Sequence, residues 1–209
     1  MSEIFDISPP IRPGMPVWPG DAEYSEEWTW EIGDGPVNVS SFTMSAHTGA
    51  HTDAPYHYAN DGARMAGVSL APYIGPCQVF DVQHAGPLIE PEDFENQAPA
   101  TIERAIFRTA ETAAIDNWDE GFKAFASRTI EFLAGRGCRL VGLDTPSLDP
   151  QDSKDLPSHM AVLAHDMRVL EGLVLDNIAA GHYELIALPL KFENLDASPV
   201  RAILRSIEV

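Results

Sequence analysis

At 209 residues, with 44% hydrophobic and 22% charged residues, the chain is long enough for one sizeable core and has the balance of a folded, soluble protein. A net charge of −19 repels phosphate, which argues against nucleic acid and anionic membrane as partners and leaves acidic groups to hold divalent cations. MSEIFDIS lacks a basic or apolar leader, no apolar run approaches about 18 residues, and Cys77 and Cys138 stand outside any C-x-x-C pair, so a cytoplasmic protein with two small buried thiols is expected.

Ile4 to Ile7 reads as a short strand. It runs into PPIRPGMPVWPGD, a proline-braced loop whose Ile11, Met15, Val17 and Trp18 are too apolar for a flexible linker. Either the loop presents Trp18 to a pocket or it packs over the core. Trp28 and Trp30 alternate with Glu27, Thr29 and Glu31, which predicts a strand over 23–32, and a looser alternation follows over 37–44. Further strands are expected over 78–82 and 105–109, with a helical turn near Pro91. Ser127 is placed as the cap of a helix over 128–134 that Gly135 stops, before the apolar strand CRLVGLD. Strand, helix and strand form a βαβ unit, which gathers ligands at strand carboxyl ends. The last strands are expected over 183–188 and 200–207. No repeat or boundary divides the chain, so a single α/β domain over 1–209 is expected.

Between these elements lies AHTGAHTDAPYHY, where His47, His51, Asp53 and His57 fall within eleven residues of a chain that has seven histidines. Imidazole nitrogen with carboxylate oxygen is a ligand set that suits Zn²⁺ and that Mn²⁺ or Fe²⁺ can share. A helix would align His47 with His51, but Gly49, Pro55 and the missing apolar period argue against one. A straight strand would part the Cα atoms of residues 47 and 53 by roughly 20 Å, too far for side chains that must meet one ion at about 2.1 Å. The chain must therefore bend near Thr48-Gly49-Ala50, with Gly49 taking the unusual dihedrals. His51 and Asp53 can then aim at one place. Pro55 helps to turn His57 back, as a ligand or as a proton carrier.

Such a site needs more ligands. Ser158 is placed as the cap of a helix from His159, and Glu171 interrupts the apolar run VLEGLVLD. On one straight helix these two would lie about 18 Å apart. If both reach the site, the helix ends or bends near His165-Asp166. Pattern alone leaves His159 open and slightly favours a solvent-facing Glu171. Asp144, Glu184, Lys191 and Glu193 are equally open between supporting and purely structural roles.

The run HTGAHTDAPYHY resembles the metal-binding signature of the cyclase family, with Ala50 where many members have Thr. DISPPIRPGMPVWPGD, VGLDTPSLDPQDSK, VLEGLVLD, YELIALPLKF and LDASPVRAIL extend the likeness over essentially the whole chain, toward the family's formamidase branch. The resemblance implies a swivelling β/α/β fold with a mixed-sheet core, a homodimer and two zinc ions per subunit, with manganese also possible. It implies that His47, His51 and Asp53 hold one metal, that Asp53 and Glu171 bridge to a second completed by His159, that His57 moves protons, and that Trp18 lies against the substrate. The reaction implied is hydrolysis of N-formyl-L-kynurenine to L-kynurenine and formate in tryptophan degradation. No G-x-S-x-G elbow offers a serine route. The alternatives are a related hydrolase acting on a cyclic amide such as isatin, or a catalytically silent metal-binding dimer.

Overall fold

The computed structural model describes residues 2–207. In chain order its regular elements are Ile4–Asp6 (β1), Ser25–Trp30 (β2), Val39–Thr43 (β3), His51–Asp53 (β4), Ile74–Asp81 (β5) and Leu88–Ile89 (β6). Arg104–Arg108 (β7), Ala124–Phe125 (β8), Ser127–Gly135 (α1), Leu140–Leu143 (β9) and Pro157–Ala164 (α2) follow. Arg168–Leu170 (β10), Gly181–Ile186 (β11), Ala197–Pro199 (β12) and Ile203–Ser206 (β13) complete the set. Seven strands form one mixed sheet in the order β1-β13-β11-β5-β7-β9-β10. Its β5, β7, β9 and β10 are parallel, whereas β1, β13 and β11 join antiparallel.

Val79 and Phe80, Ile106 and Phe107, Leu140 and Val141, and Val169 and Leu170 are neighbours in sequence, so each pair sends one side chain to either face of the sheet. Val79, Ile106, Leu140 and Leu170 join a core with Tyr73, Leu185 and Leu204. Phe80, Phe107, Val141 and Val169 join another with Phe94, Phe125, Ile130, Leu133 and Val162, the last three elements of which are β8, α1 and α2. Burial on both faces explains the unbroken apolar runs of these strands. The expected βαβ unit is present as β7, α1 and β9, the two strands adjacent and parallel.

Boundaries differ from the sequence reading at the helix ends. Ser127 is the first residue of α1 and makes no side-chain cap; Gly137, at φ +86°, takes the left-handed backbone after the helix rather than Gly135. Ser158 likewise lies inside α2. The backbone N–H groups of Ser158 and His159 donate to the carboxylate of Asp149 at 2.9 and 3.0 Å, so Asp149 satisfies this helix start and Ser158 Oγ donates to Phe125 O instead. The helix ends at Ala164, and Asp166 at φ +50° turns the chain into β10, the break expected near that point. The segment expected as one strand over 200–207 carries β13 only from Ile203, preceded by the separate β12.

Candidate active site

Two backbone crossings assemble the site. Gly49, at φ +67°, bends the chain as its sequence position required, and β4 follows with His51 and Asp53 on one side. His51 and Glu171 then exchange backbone hydrogen bonds at 3.1 and 3.0 Å, which fixes β4 against the end of β10. The approach is so close that a Cβ at Gly172, itself at φ +64°, would stand 2.4 Å from Gly49 O. On its other edge β4 pairs with β12, placing Ala197 opposite Asp53.

Glu171 is consequently buried, not solvent-facing, and it joins the histidine run. Its Oε2 lies 3.2 Å from His51 Nε2 and its Oε1 3.3 Å from His159 Nε2. Asp53 is central: Oδ1 is 3.1 Å from His47 Nδ1 and 3.7 Å from His51 Nε2, and Oδ2 is 3.6 Å from His159 Nε2. Two donor groups result, His47-His51-Asp53 and Asp53-His159-Glu171, with Asp53 common to both. Two ions side by side, joined by a shared carboxylate, could occupy such a set.

The donor atoms suit cations on a further count. His51 Nε2 and both oxygens of Asp53 are buried and have no hydrogen-bond partner of acceptable geometry. Leaving three polar atoms so placed costs about 1–3 kcal/mol each, more for a charge, unless something else satisfies them. The far nitrogens, in contrast, are all engaged. His51 Nδ1 meets Gly49 O at 3.0 Å, His159 Nδ1 meets Asp149 Oδ2 at 2.7 Å and His47 Nε2 meets Asp196 Oδ2 at 3.1 Å. This is the support that metal-binding imidazoles use to fix ring and tautomer.

Without a cation the cluster compensates with protons. Burial would lower the pKa of His47, but Asp53 and Asp196 outweigh it and raise it to about 9. Burial opposes charge on His159 as well, yet Asp149, Asp53 and Glu171 hold it well above the usual histidine range. Asp53 is kept well below the carboxylate range, against its burial, by His159 and His47. Glu171 is lowered too, despite burial and the adjacent Asp53 charge, by His159 and His51.

These groups floor a cavity of about 460 Å³. Trp18 lines it, as one reading of the proline-rich loop required, and packs edge-on against Trp118 and Phe122 at ring-centroid distances of 5.5 and 6.3 Å. Trp118 is tied by its indole N–H to Gln151 at 2.7 Å. His57 lines the cavity as well, its Nδ1 lying 3.0 Å from Asp196 Oδ2. Asp144 also lines it; burial raises its carboxyl to about 6 against hydrogen bonds from the Thr109 and Ala110 backbone. Glu184 pairs with Arg205, while Lys191 and Glu193 are exposed; none of the three lines the cavity.

Sequence reasoning missed Asp196, Asp149, Trp118 and Phe122. Asp149 and Asp196 each follow a leucine in a polar loop, and only the fold brings them to a histidine. Trp118 and Phe122 lie in a stretch without periodicity, where an aromatic residue carries no positional signal.

The cyclase family model matches residues 5–150. The chain belongs to that family. Within it the chain is 52% identical to the kynurenine formamidase of Bordetella petrii over 208 residues, 99% of this chain and 100% of the relative. Among solved structures it is similar to one described as a potential metal-dependent hydrolase with cyclase activity, at 29% identity and a TM-score of 0.86 with both chains fully covered. It shares its fold with isatin hydrolase A from Labrenzia aggregata, at 23% identity and a TM-score of 0.85 over 99% of this chain and 94% of that one.

Proposed function

We propose that this protein is an arylformamidase that hydrolyses N-formyl-L-kynurenine to L-kynurenine and formate, serving tryptophan degradation. The observation that carries the proposal is the pair of donor groups sharing Asp53 beneath a cavity walled by Trp18 and Trp118. Full-length identity of 52% to a kynurenine formamidase selects the formamide among the amides that such a site could take.

In this reading the protein is a single cytoplasmic domain that pairs as a homodimer and holds two zinc ions per subunit, with manganese able to replace them. His47, His51 and Asp53 would hold one ion, and Asp53, His159 and Glu171 would hold the other. Bound there, such ions would supply a water of lowered pKa, toward about 7, and positive charge beside the formyl oxygen. The indole face of Trp18 holds the aryl ring by offset stacking. His57 accepts a proton as the water oxygen bonds to the formyl carbon. It then delivers that proton to the aniline nitrogen as the C–N bond breaks, releasing formate and the amine.

The test is removal and restoration of metal. Chelated protein, verified as metal-free, should lose formylkynurenine hydrolysis and regain it with Zn²⁺. Full turnover in the metal-free form sinks the proposal. Isatin assayed in parallel should be turned over far more slowly, because the likeness to isatin hydrolase extends to the fold alone.

A further inference from the structure

We propose that Asp196 is a positioning residue that sets the tautomers of two histidines at once, one toward the metal and one toward the substrate; this deepens the reading above and rests on it. A single oxygen, Asp196 Oδ2, lies 3.1 Å from His47 Nε2 and 3.0 Å from His57 Nδ1. The two imidazoles stand with ring centroids 4.3 Å apart. A carboxylate oxygen only accepts, so both facing nitrogens must carry hydrogen. Once a cation displaces the second proton of His47, the bare nitrogen is Nδ1, the one facing Asp53, and that is the form in which imidazole ligates a metal. His57 is left with an unprotonated Nε2, the form in which it can take a proton.

The backbone holds this carboxylate in place independently of its hydrogen bonds to the histidines. Asp196 O accepts the Ala54 N–H at 2.7 Å, and the next residue, Ala197, pairs with Asp53 across β12 and β4. The pairing of β12 with β4, which carries Asp53, therefore also seats Asp196 beside His57. Asp196 does not line the cavity, but its oxygen meets His47 and His57, both of which do. At 38% side-chain exposure it can lose its carboxylate without opening a void in either core.

Three readouts on purified Asp196→Ala and Asp196→Asn test the proposal: ¹⁵N imidazole NMR with and without added zinc, zinc titration against a competing chelator, and steady-state kinetics. In the wild type His57 should carry its proton on Nδ1, and in Asp196→Ala that preference should be lost. Zinc affinity should fall about 10–100-fold, as it does when the support of a metal-binding histidine is removed. With zinc held at saturation, so that the loss of metal affinity does not enter, kcat for formylkynurenine should fall about 100-fold or more while KM stays within about threefold. Asp196→Asn, whose amide presents one oxygen and one donor, should lie between. An unchanged His57 tautomer in Asp196→Ala, with zinc affinity within twofold of wild type, overturns the proposal. Wild-type protein that binds zinc and hydrolyses no formamide would instead sink the functional reading, leaving the NMR and titration to judge Asp196 alone.

Discussion

His57 sits at the edge of the donor cluster with about one-third of its side chain exposed, closer to solvent than His51 or His159. Under the proposed function that position separates the tasks of the three histidines, because a proton carrier must exchange with water whereas a ligand is better kept dry. Replacing it by alanine should leave bound zinc unchanged and lower kcat about 10²–10⁴-fold, the range of a lost general acid–base. Elemental analysis beside a formylkynurenine assay checks both halves; loss of metal with loss of activity would make His57 a ligand instead. Residues such as this were legible in the sequence because their spacing is unusual: four candidate ligands in eleven residues demand a common target. Asp196 and Asp149 were not legible, because nothing in a loop aspartate tells that a distant histidine will need its carboxylate. Glu171 fell between the two. Its apolar surroundings were visible, but its burial became evident only when β10 met β4.

At the scale of elements, the β2–β3 hairpin has no counterpart in the packing of the rest. Every residue of both strands is exposed; Trp28 and, beyond a bulge that shifts its pairing to Val39, Trp30 stand on β2, and Phe42 of β3 shares the face of Trp28. These side chains are 57%, 59% and 66% accessible, and an isolated two-stranded hairpin is marginal in water. An apolar face of this kind needs a cover. The homodimer proposed above supplies one if each copy lays its hairpin on the other. Trp28→Glu combined with Phe42→Glu should convert dimer to monomer, read by light scattering after size exclusion, with unchanged secondary structure by circular dichroism. A double variant that remains dimeric would move the interface elsewhere. The hairpin itself was legible, since tryptophans alternating with polar residues are a strand signal. Its exposure was not, because the same alternation ordinarily marks a strand half-buried against a core. The helix starts misled for a related reason: Ser127 and Ser158 have the right residue type for caps, but both lie inside their helices, and Asp149, brought in by the fold, satisfies the start of α2.

Over the whole molecule, residues from the proline loop, β4, the end of β10, α2 and the turn before β12 converge at one edge of the sheet, so cation binding and tertiary structure must be linked. In metal-free protein the opposing carboxylates of Asp53 and Glu171 are balanced by imidazolium at His47 and His159. A histidine whose folded pKa is raised stabilises the fold fully below its unfolded value near 6.5, and that contribution disappears as pH climbs through the folded value, about 9 for His47. The metal-free protein should therefore lose stability between pH 6.5 and 9 as the positive charge leaves and the carboxylates face each other unshielded. Zinc reverses the dependence, because binding displaces those same protons and tightens as pH rises. At a thousandfold excess over Kd it adds about 4 kcal/mol. Calorimetry on metal-free and zinc-loaded protein should accordingly find a gap in Tm that widens from pH 6.5 to pH 8.5. A gap that stays constant or narrows over that range would mean that the histidines do not carry the balancing charge, and that the two donor groups are held together by packing alone.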